Sequence, residues 1–365
     1  MTIAEDTLVS VYRAADDLRR GQSVVLRGDT LLMVTPLETL DDVRLKDFAA
    51  GVSAEPFIMI TANRAKVLHI APEDWAVVRL DRPSWMSSAD LGNLADPTLD
   101  LANPMRGPFK RHNIADTDTD RAAVKLAKIA RLLPAVLAVE ISQSEASSLI
   151  RGGLLASGAE AVLTSDSTHA RSLKIVARAQ VPLEASAETQ LISFRSPVGG
   201  PEHIAIVVGG VLHKEDVLTR IHSECFTGDL LGSLKCDCGQ QLRGAIAEIA
   251  KAGGGVVLYL AQEGRGIGLN SKLKAYALQS DGFDTVDANL RLGFDIDERI
   301  FEPAASMLKA LGVKSVRLMT NNPEKVAAMA RYDIIVSERV EHSFPPNPHN
   351  EQYLAVKKSK TGHFL

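Results

Sequence analysis

Three cysteines are all that 365 residues contain, and they fall in one short segment: Arg220-Ile-His-Ser-Glu-Cys225 followed by Cys236-Asp-Cys238. A disulfide would leave one thiol over, and two cysteines separated by one residue match bridge geometry poorly. Three thiolates suit a tetrahedral zinc ion whose fourth position is left to water, the arrangement of a catalytic rather than a structural site. The competing readings are a structural site completed by His222, or three unrelated thiols. Three thiolates leave Zn²⁺ and its ligands together at net −1 and make a bound water less acidic than three histidines would. Lys235 and Arg243 lie near enough in sequence to offset that charge. His222-Ser-Glu224 also matches the H-x-E of zinc deaminases, but that chemistry needs P-C-x-x-C, and Lys235-Cys-Asp-Cys-Gly239 has the wrong spacing.

Two further segments suit anions. Glu263-Gly-Arg-Gly-Ile-Gly268 follows an apolar run and precedes a helical pattern, a setting in which backbone N–H groups cradle phosphate and Arg265 adds a charged donor. Its glycines do not have dinucleotide-fold spacing, and a tight turn without function explains them equally well. Thr320-Asn-Asn-Pro323 ends a strand-like run and places proline at a first helical position, with Lys325 close by; helix capping alone also accounts for Asn322. Asp297-Glu-Arg299 reads equally as an ordinary solvated charge run.

The elements that must carry these groups alternate between the two periodicities. Residues 203–208, 256–260 and 316–319 read as strands, and residues 240–251, 303–311 and the run up to Gln279 as helices. Upstream, residues 6–20, 122–133 and 144–150 read as helices; 23–27, 31–34, 57–60 and 136–139 read as strands. Asp116, Asp118 and Asp120 precede a helical run and are taken as capping groups rather than a metal site. Residues 82–111, rich in Pro, Asn, Asp and Ser, read as a long loop. The expected fold is α+β or mixed α/β, in two domains that each pack helices on a mixed sheet. The boundary is set in the segment 183–200, giving domains 1–185 and 186–365.

A hydrophobic content of 45% with 24% charged residues describes a folded globular chain, and a net charge of −4 gives no general pull towards nucleic acid or anionic membrane. No apolar run could span a bilayer as a helix, the first residues lack a signal-peptide pattern, and unpaired thiols fit a reducing compartment. A cytoplasmic location is the expectation.

Taken together, the segments of the second half resemble the GTP cyclohydrolase II family. They are Arg220 to Asp229, Cys236-Asp-Cys-Gly239, Gln262 to Leu269, Lys274-Ala-Tyr-Ala-Leu-Gln279, Asp284-Thr-Val-Asp-Ala-Asn289, Leu292-Gly-Phe294 with Asp297-Glu-Arg299, and Thr320-Asn-Asn-Pro323. The departure is Asn270-Ser271, where the family has Leu-Asn. The resemblance implies that Cys225, Cys236 and Cys238 hold one Zn²⁺ per subunit. It implies that Arg220, Ile221, His222, Ser223, Glu224, Gln241, Glu263, Gly264, Arg265, Thr285, Thr320 and Lys325 bind nucleotide. Asp297 matches the proton acceptor, Arg299 the group described as a nucleophile towards the α-phosphate, and Tyr276 an active-site tyrosine.

The implied reaction, the first step of riboflavin biosynthesis, converts GTP to 2,5-diamino-6-(5-phospho-ribosylamino)pyrimidin-4(3H)-one, formate and pyrophosphate, with Mg²⁺ on the triphosphate. The implied assembly is a homodimer with GTP as substrate and neither nucleic acid nor membrane as partner. Gln241 and Glu263 are the groups considered for the guanine edge. The first half resembles 3,4-dihydroxy-2-butanone 4-phosphate synthase through Ala14 to Val25 and Asp118-Thr-Asp-Arg121. Arg27-Gly-Asp-Thr-Leu-Leu32 replaces that family's acidic metal loop, so a degenerate, non-catalytic domain is expected. Two alternatives stay open: a zinc hydrolase of the same family acting on another purine nucleotide, and a non-catalytic zinc-stabilised regulatory module.

Overall fold

The computed structural model describes residues 3–50, 52–70, 75–104, 107–112 and 116–351. The chain divides into two compact units, Met1–Asp166 with Asn270–Glu298, and Ser167–Leu269 with Arg299–Leu365. Each is built on one sheet with packed helices, as the mixed α/β expectation required.

The first sheet contains β1 (Val24–Arg27), β2 (Leu31–Pro36), β3 (Phe57–Thr61), β4 (Val77–Asp81), β5 (Ala135–Glu140) and β6 (Ala156–Gly158), in the order β4-β3-β5-β2-β1-β6. Among the described residues of this sheet, only β1 and β6 pair in parallel. Val11 and Leu18 of the helix Ile3–Arg19 and Leu126 of the helix Asp118–Ile129 join Leu26, Leu32, Met59 and Val136 in one core. The acidic run caps as expected: the Thr117 hydroxyl accepts from Asp120 N–H, and the Asp120 carboxylate accepts from Thr117 N–H. Asp120 also takes a bidentate pair from the buried Arg79, at 2.8 and 2.9 Å. The β1–β2 turn is tight: Gly28 N–H bonds Thr30 O, and a Cβ on Gly28 would stand 2.8 Å from the Ala159 Cβ.

In the second unit the strands are β7 (Lys174–Gln180), β8 (Thr189–Arg195), β9 (His203–Val208), β10 (Val217–Ser223), β11 (Gly255–Leu260), β12 (Ser315–Met319) and β13 (Ile335–Val340). Their order is β13-β12-β10-β11-β9-β8-β7. The first four run parallel and the rest antiparallel. Parallel neighbours need a crossover; the helix Cys238–Lys251 lies between β10 and β11 in sequence, and Pro323–Arg331 between β12 and β13. Because β11 and β12 flank β10 on opposite sides, the order reverses at β10. In parallel sheets such a switch point opens a crevice at the strands' carboxyl ends.

The boundary segment 183–200 holds a strand: β8 lies within it and pairs with both β7 and β9. The compact units instead divide after Asp166, and residues 270–298 join the first unit. Within the expected loop 82–111, Ser88–Ala95 is a helix with a Ser87/Asp90 capping box, followed by a 3-10 turn at Pro97–Leu99. A helix this short, with Gly92 inside it, leaves little periodic signal. Among the described residues no helix is long and apolar enough to cross a membrane.

Candidate metal and nucleotide site

Three sequence segments singled out for chemistry follow directly on the carboxyl ends of β10, β11 and β12: the first cysteine, the Glu263 turn and Thr320. Their convergence follows from strand order alone. The β10–β11 register places Ser223 opposite Leu260, so both chains leave the sheet at one level.

After β10 the chain forms a single wide turn, Phe226–Leu230, closed by Asp229 N–H to Cys225 O at 2.7 Å. This turn and the start of the helix Cys238–Lys251 bring the three sulfurs together, all within 4.8 Å of one another. Cys225 and Cys236 Sγ are 3.8 Å apart. A disulfide requires about 2.05 Å. A tetrahedral ion with metal–sulfur bonds of about 2.3 Å requires sulfurs about 3.8 Å apart, the observed spacing. Gly228 fits over the cluster: a Cβ there would stand 2.9 Å from Cys236 Sγ and 3.1 Å from Cys225 Sγ. The neighbouring thiols, Cys225 first, push the Cys236 thiol up to about 11 and raise Cys238 as well. Such crowding is stable as thiolates only around a cation. Among the described residues the cluster comprises these three cysteines, so His222 does not complete it.

His222 turns instead to Asp229. That carboxylate, nearly buried, lies 3.2 Å from His222 Nε2 and accepts from Cys225 N–H at 3.0 Å and Tyr259 O–H at 2.9 Å. His222 stacks on Tyr259 with ring centroids 5.6 Å apart. Burial lowers the His222 pKa, with Asp229 opposing, and burial raises that of Tyr259. Asp229 therefore ties the first metal-type ligand to β10 and β11. Neither it nor Gly228 was singled out from the sequence, although both stand in the quoted Arg220–Asp229 run.

Cations line the same strand ends. Arg220 is buried on β10 and donates to Met319 O at 2.9 Å and Gln241 Oε1 at 2.5 Å. Burial pulls its pKa down to about 10, with Asp237 and Cys238 opposing, so it remains a cation beside the thiols at neutral pH. Gln241 donates in turn to Asp237 at 2.6 Å, so its amide is oriented from both ends. Lys325, also buried, donates to Ile221 O at 2.7 Å. Thr320 Oγ1 accepts from Asn322 N–H, and Asn322 caps the helix that Pro323 opens, as the sequence indicated. Arg243, placed on the helix Cys238–Lys251, comes within 3.5 Å of the Asp229 carbonyl.

In the Glu263 turn, Gly264 and Arg265 adopt left-handed conformations, with φ of 63° and 60°. The turn engages backbone N–H groups of its own: Gly266 N–H donates to Gln262 O and Gly268 N–H to Glu263 O. Glu263 is spent locally: its carboxylate accepts from Phe226 N–H at 2.5 Å and Gly264 N–H at 2.7 Å, tying the turn to the cysteine loop. Gln262 bridges Ser223 Oγ and Ile300 N–H. Glu224 follows β10 directly, and its backbone N–H bonds Leu260 O. Arg299 is half-buried and lies over the Phe301 ring at 5.6 Å.

The remaining expected site residues belong to the first unit. Half-buried Tyr276 sits on the helix Leu269–Ser280, with Lys272 Nζ 5.6 Å from its ring centroid. Thr285 opens the helix Thr285–Arg291 and accepts from Gln279 at 3.3 Å. Asp297 is exposed on the segment that follows.

A family model described as GTP cyclohydrolase II matches residues 174–341. A protein named GTP cyclohydrolase-2 from Azospirillum brasilense is 45% identical over 99% of this chain and 95% of its own. One of the same name from Aeromonas hydrophila is 52% identical over 194 residues, 53% of this chain and 98% of its own. Among solved structures, a two-domain 3,4-dihydroxy-2-butanone 4-phosphate synthase from A. baumannii aligns with 90% of this chain and 99% of its own, at 15% identity and a TM-score of 0.36.

Proposed function

The chain belongs to the GTP cyclohydrolase II family, and from that membership we propose how its residues divide the hydrolysis of GTP among themselves. The single observation that carries the proposal is the set of three sulfurs, spaced for one tetrahedral ion, at the switch point in the parallel part of the second sheet. The donor set fits Zn²⁺, which when bound supplies Lewis acidity and lowers the pKa of water.

This chain's residues do the rest. One water adds at C8 of guanine and opens the imidazole ring; a second releases that carbon as formate; a third cleaves the α–β phosphoanhydride, and pyrophosphate leaves. Asp297 is assigned as acceptor of the attacking water's proton, and Tyr276 as an active-site tyrosine. Gly264 and Arg265 of the left-handed turn and the cations Arg220, Lys325 and Arg299 hold the phosphates, and Mg²⁺, when bound with the triphosphate, would supply further charge neutralisation. A guanidinium has a pKa above about 12, so Arg299 serves as charge stabiliser at the α-phosphorus rather than as nucleophile. Glu224, Ser223, Thr285 and Thr320 complete the nucleotide contacts, and Gln241, its amide fixed by Arg220 and Asp237, is favoured over Glu263 for the guanine edge.

Apart from residues 270–298, the first unit has no catalytic part of its own in this reading, which the short Gly28–Thr30 turn supports, standing where the synthase family has its acidic metal loop. A homodimer, a cytoplasmic location, and GTP as the partner without nucleic acid or membrane complete the proposal. The test is incubation of zinc-loaded protein with GTP and Mg²⁺, following the ultraviolet change as the purine opens. Formate and pyrophosphate in equal amounts are expected, and Cys236→Ser should abolish formate. Pyrophosphate without formate, or formate from the serine variant, contradicts the reading.

A further inference from the structure

Residues 270–298 lie inside the stretch that matches the family model, yet they pack into the first unit. They carry Tyr276, Thr285 and Asp297. The part around Asp297 is held by side chains from the other end of the sequence. Thr61, last residue of β3 and N-cap of the helix Ala62–Val67, donates to Gly293 O at 2.7 Å. Asn63 donates to Phe294 O at 3.0 Å and to Asp295 Oδ1 at 2.9 Å.

Gly293 has φ of +86°, and a Cβ there would stand 2.9 Å from Thr61 Oγ1 and 3.0 Å from Pro134 Cγ, so only glycine permits this approach. The Phe294 ring is buried, with Lys128 Nζ 5.8 Å from its centroid. Lys128 pairs with Glu298 at 2.5 Å, and Glu298 accepts from Asp295 N–H at 2.8 Å. Asn289 donates to Ile296 O at 3.4 Å. Farther along, Lys274 pairs with Asp96, and the buried Arg64, bidentate to Asp100, reaches the Arg291 carbonyl at 3.5 Å.

Asp297 is thus an exposed residue between two neighbours that are both anchored, Ile296 by its carbonyl and Glu298 by its carboxylate. We infer that the first unit serves GTP hydrolysis as a mount for this strap: Thr61, Asn63 and Lys128 are positioning residues that fix the backbone on which Asp297 stands. The inference rests on the proposed role of Asp297 as proton acceptor. It gives the synthase-like unit a task that needs no active site of its own. The Aeromonas hydrophila relative aligns over 98% of its length with 53% of this chain, so a first unit is no general condition of that name. What the unit adds here is local. A carboxylate on a loop keeps its reach only if the loop is held, and a displacement of about 1 Å costs about a hundredfold in rate.

The experiment uses the full-length, zinc-loaded protein. Thr61→Val, Asn63→Ala and Lys128→Met are made singly and together, with Lys128→Arg as the conservative partner and Asp297→Asn as the reference. Turnover of GTP, zinc content, thermal midpoint and hydrogen exchange of residues 293–298 are measured on each. The combined variant should lose about tenfold to a hundredfold in kcat, with KM within about twofold and zinc content unchanged. Its amides 293–298 should exchange faster, and Lys128→Arg should recover most of what Lys128→Met loses.

A faster-exchanging strap with unchanged kcat overturns the inference, as does unchanged exchange in the combined variant. A purely structural role would lower the thermal midpoint and leave kcat per zinc-loaded molecule intact. Asp297→Asn tells the two failures apart: if it keeps full turnover, the role of Asp297 is wrong; if it is inactive while the strap variants are not, only the mount is wrong. Should the triple variant fail to fold, Lys128→Met against Lys128→Arg makes the same comparison.

Discussion

Replacing Asp229 tests how the metal-type site is built, because one carboxylate serves three donors from three parts of the fold. It accepts from Cys225 N–H at 3.0 Å and Tyr259 O–H at 2.9 Å, and faces His222 Nε2 at 3.2 Å. Hydrogen bonds to a charged group contribute about 1.5–3 kcal/mol each, and a buried donor left unmet costs about 1–3 kcal/mol. Asp229→Ala strands all three, and water reaches only part of the space, so a loss of about 3–5 kcal/mol is expected. Asp229→Asn keeps the shape and one acceptor but removes the charge, for a loss of about 2 kcal/mol. Part of that loss is expected as metal affinity, since Asp229 holds the backbone of Cys225, a proposed ligand. Changes just outside a ligand shell cost about 10–100-fold in affinity. Urea unfolding of the metal-free protein measures the first quantity, and competition with a chromophoric chelator measures the second. Tyr259→Phe, which removes one donor and leaves the carboxylate, should cost about 1 kcal/mol with little change in zinc affinity. An Asp229→Asn protein that holds zinc as tightly as the parent and unfolds at the same urea concentration would refute the reasoning.

Other outcomes follow from the same geometry. Gly228→Ala places a methyl 2.9 Å from Cys236 Sγ, so zinc affinity should fall at least about tenfold, and the tetrahedral thiolate spectrum of the cobalt-substituted protein should be lost or altered. The Cys236 thiol is pushed up to about 11 and Cys238 is raised, so both are protonated near neutrality without metal and must release those protons on binding. Calorimetry in buffers of differing ionisation enthalpy should count at least two protons per zinc, with affinity falling as pH falls. His203 is buried and its pKa lowered from 6.5 to about 4, by burial first and by His169 second. Its folded pKa lies below its unfolded one, so its contribution is complete above 6.5 and is lost as pH falls towards 4. Between pH 7 and pH 5 that loss amounts to about 2 kcal/mol, and His203→Gln should shrink the difference between urea midpoints at those two pH values by that amount.

The cysteine cluster was legible from the sequence because rarity and spacing carry chemical meaning without any tertiary information. The capping roles of Asp120 and Asn322 were legible for a similar reason, since a cap and its helix are neighbours in the chain. Strands with two buried faces, such as β3 and β11, announce themselves as apolar runs. By contrast β7, mostly exposed at the sheet edge, has no such run, and without it the segment holding β8 read as a domain boundary. The assignment of residues 270–298 to the first unit was out of reach for a different reason. It rests on pairings such as Thr61 with Gly293 and Lys128 with Glu298, which a local pattern cannot register. Asp229 is an intermediate case. It stands in a quoted motif, but a carboxylate that orders a loop and one that does chemistry look alike until their donors are seen.

X-ray absorption at the zinc edge of the full-length protein, before and after GTP is added, bears on the central claim most directly. Three sulfurs at about 2.3 Å and one oxygen or nitrogen scatterer near 2.0 Å are expected, with the light scatterer exchangeable and the sulfurs unchanged when nucleotide binds. A shell lacking those three sulfurs, or a fourth protein ligand that persists in the presence of GTP, would contradict it.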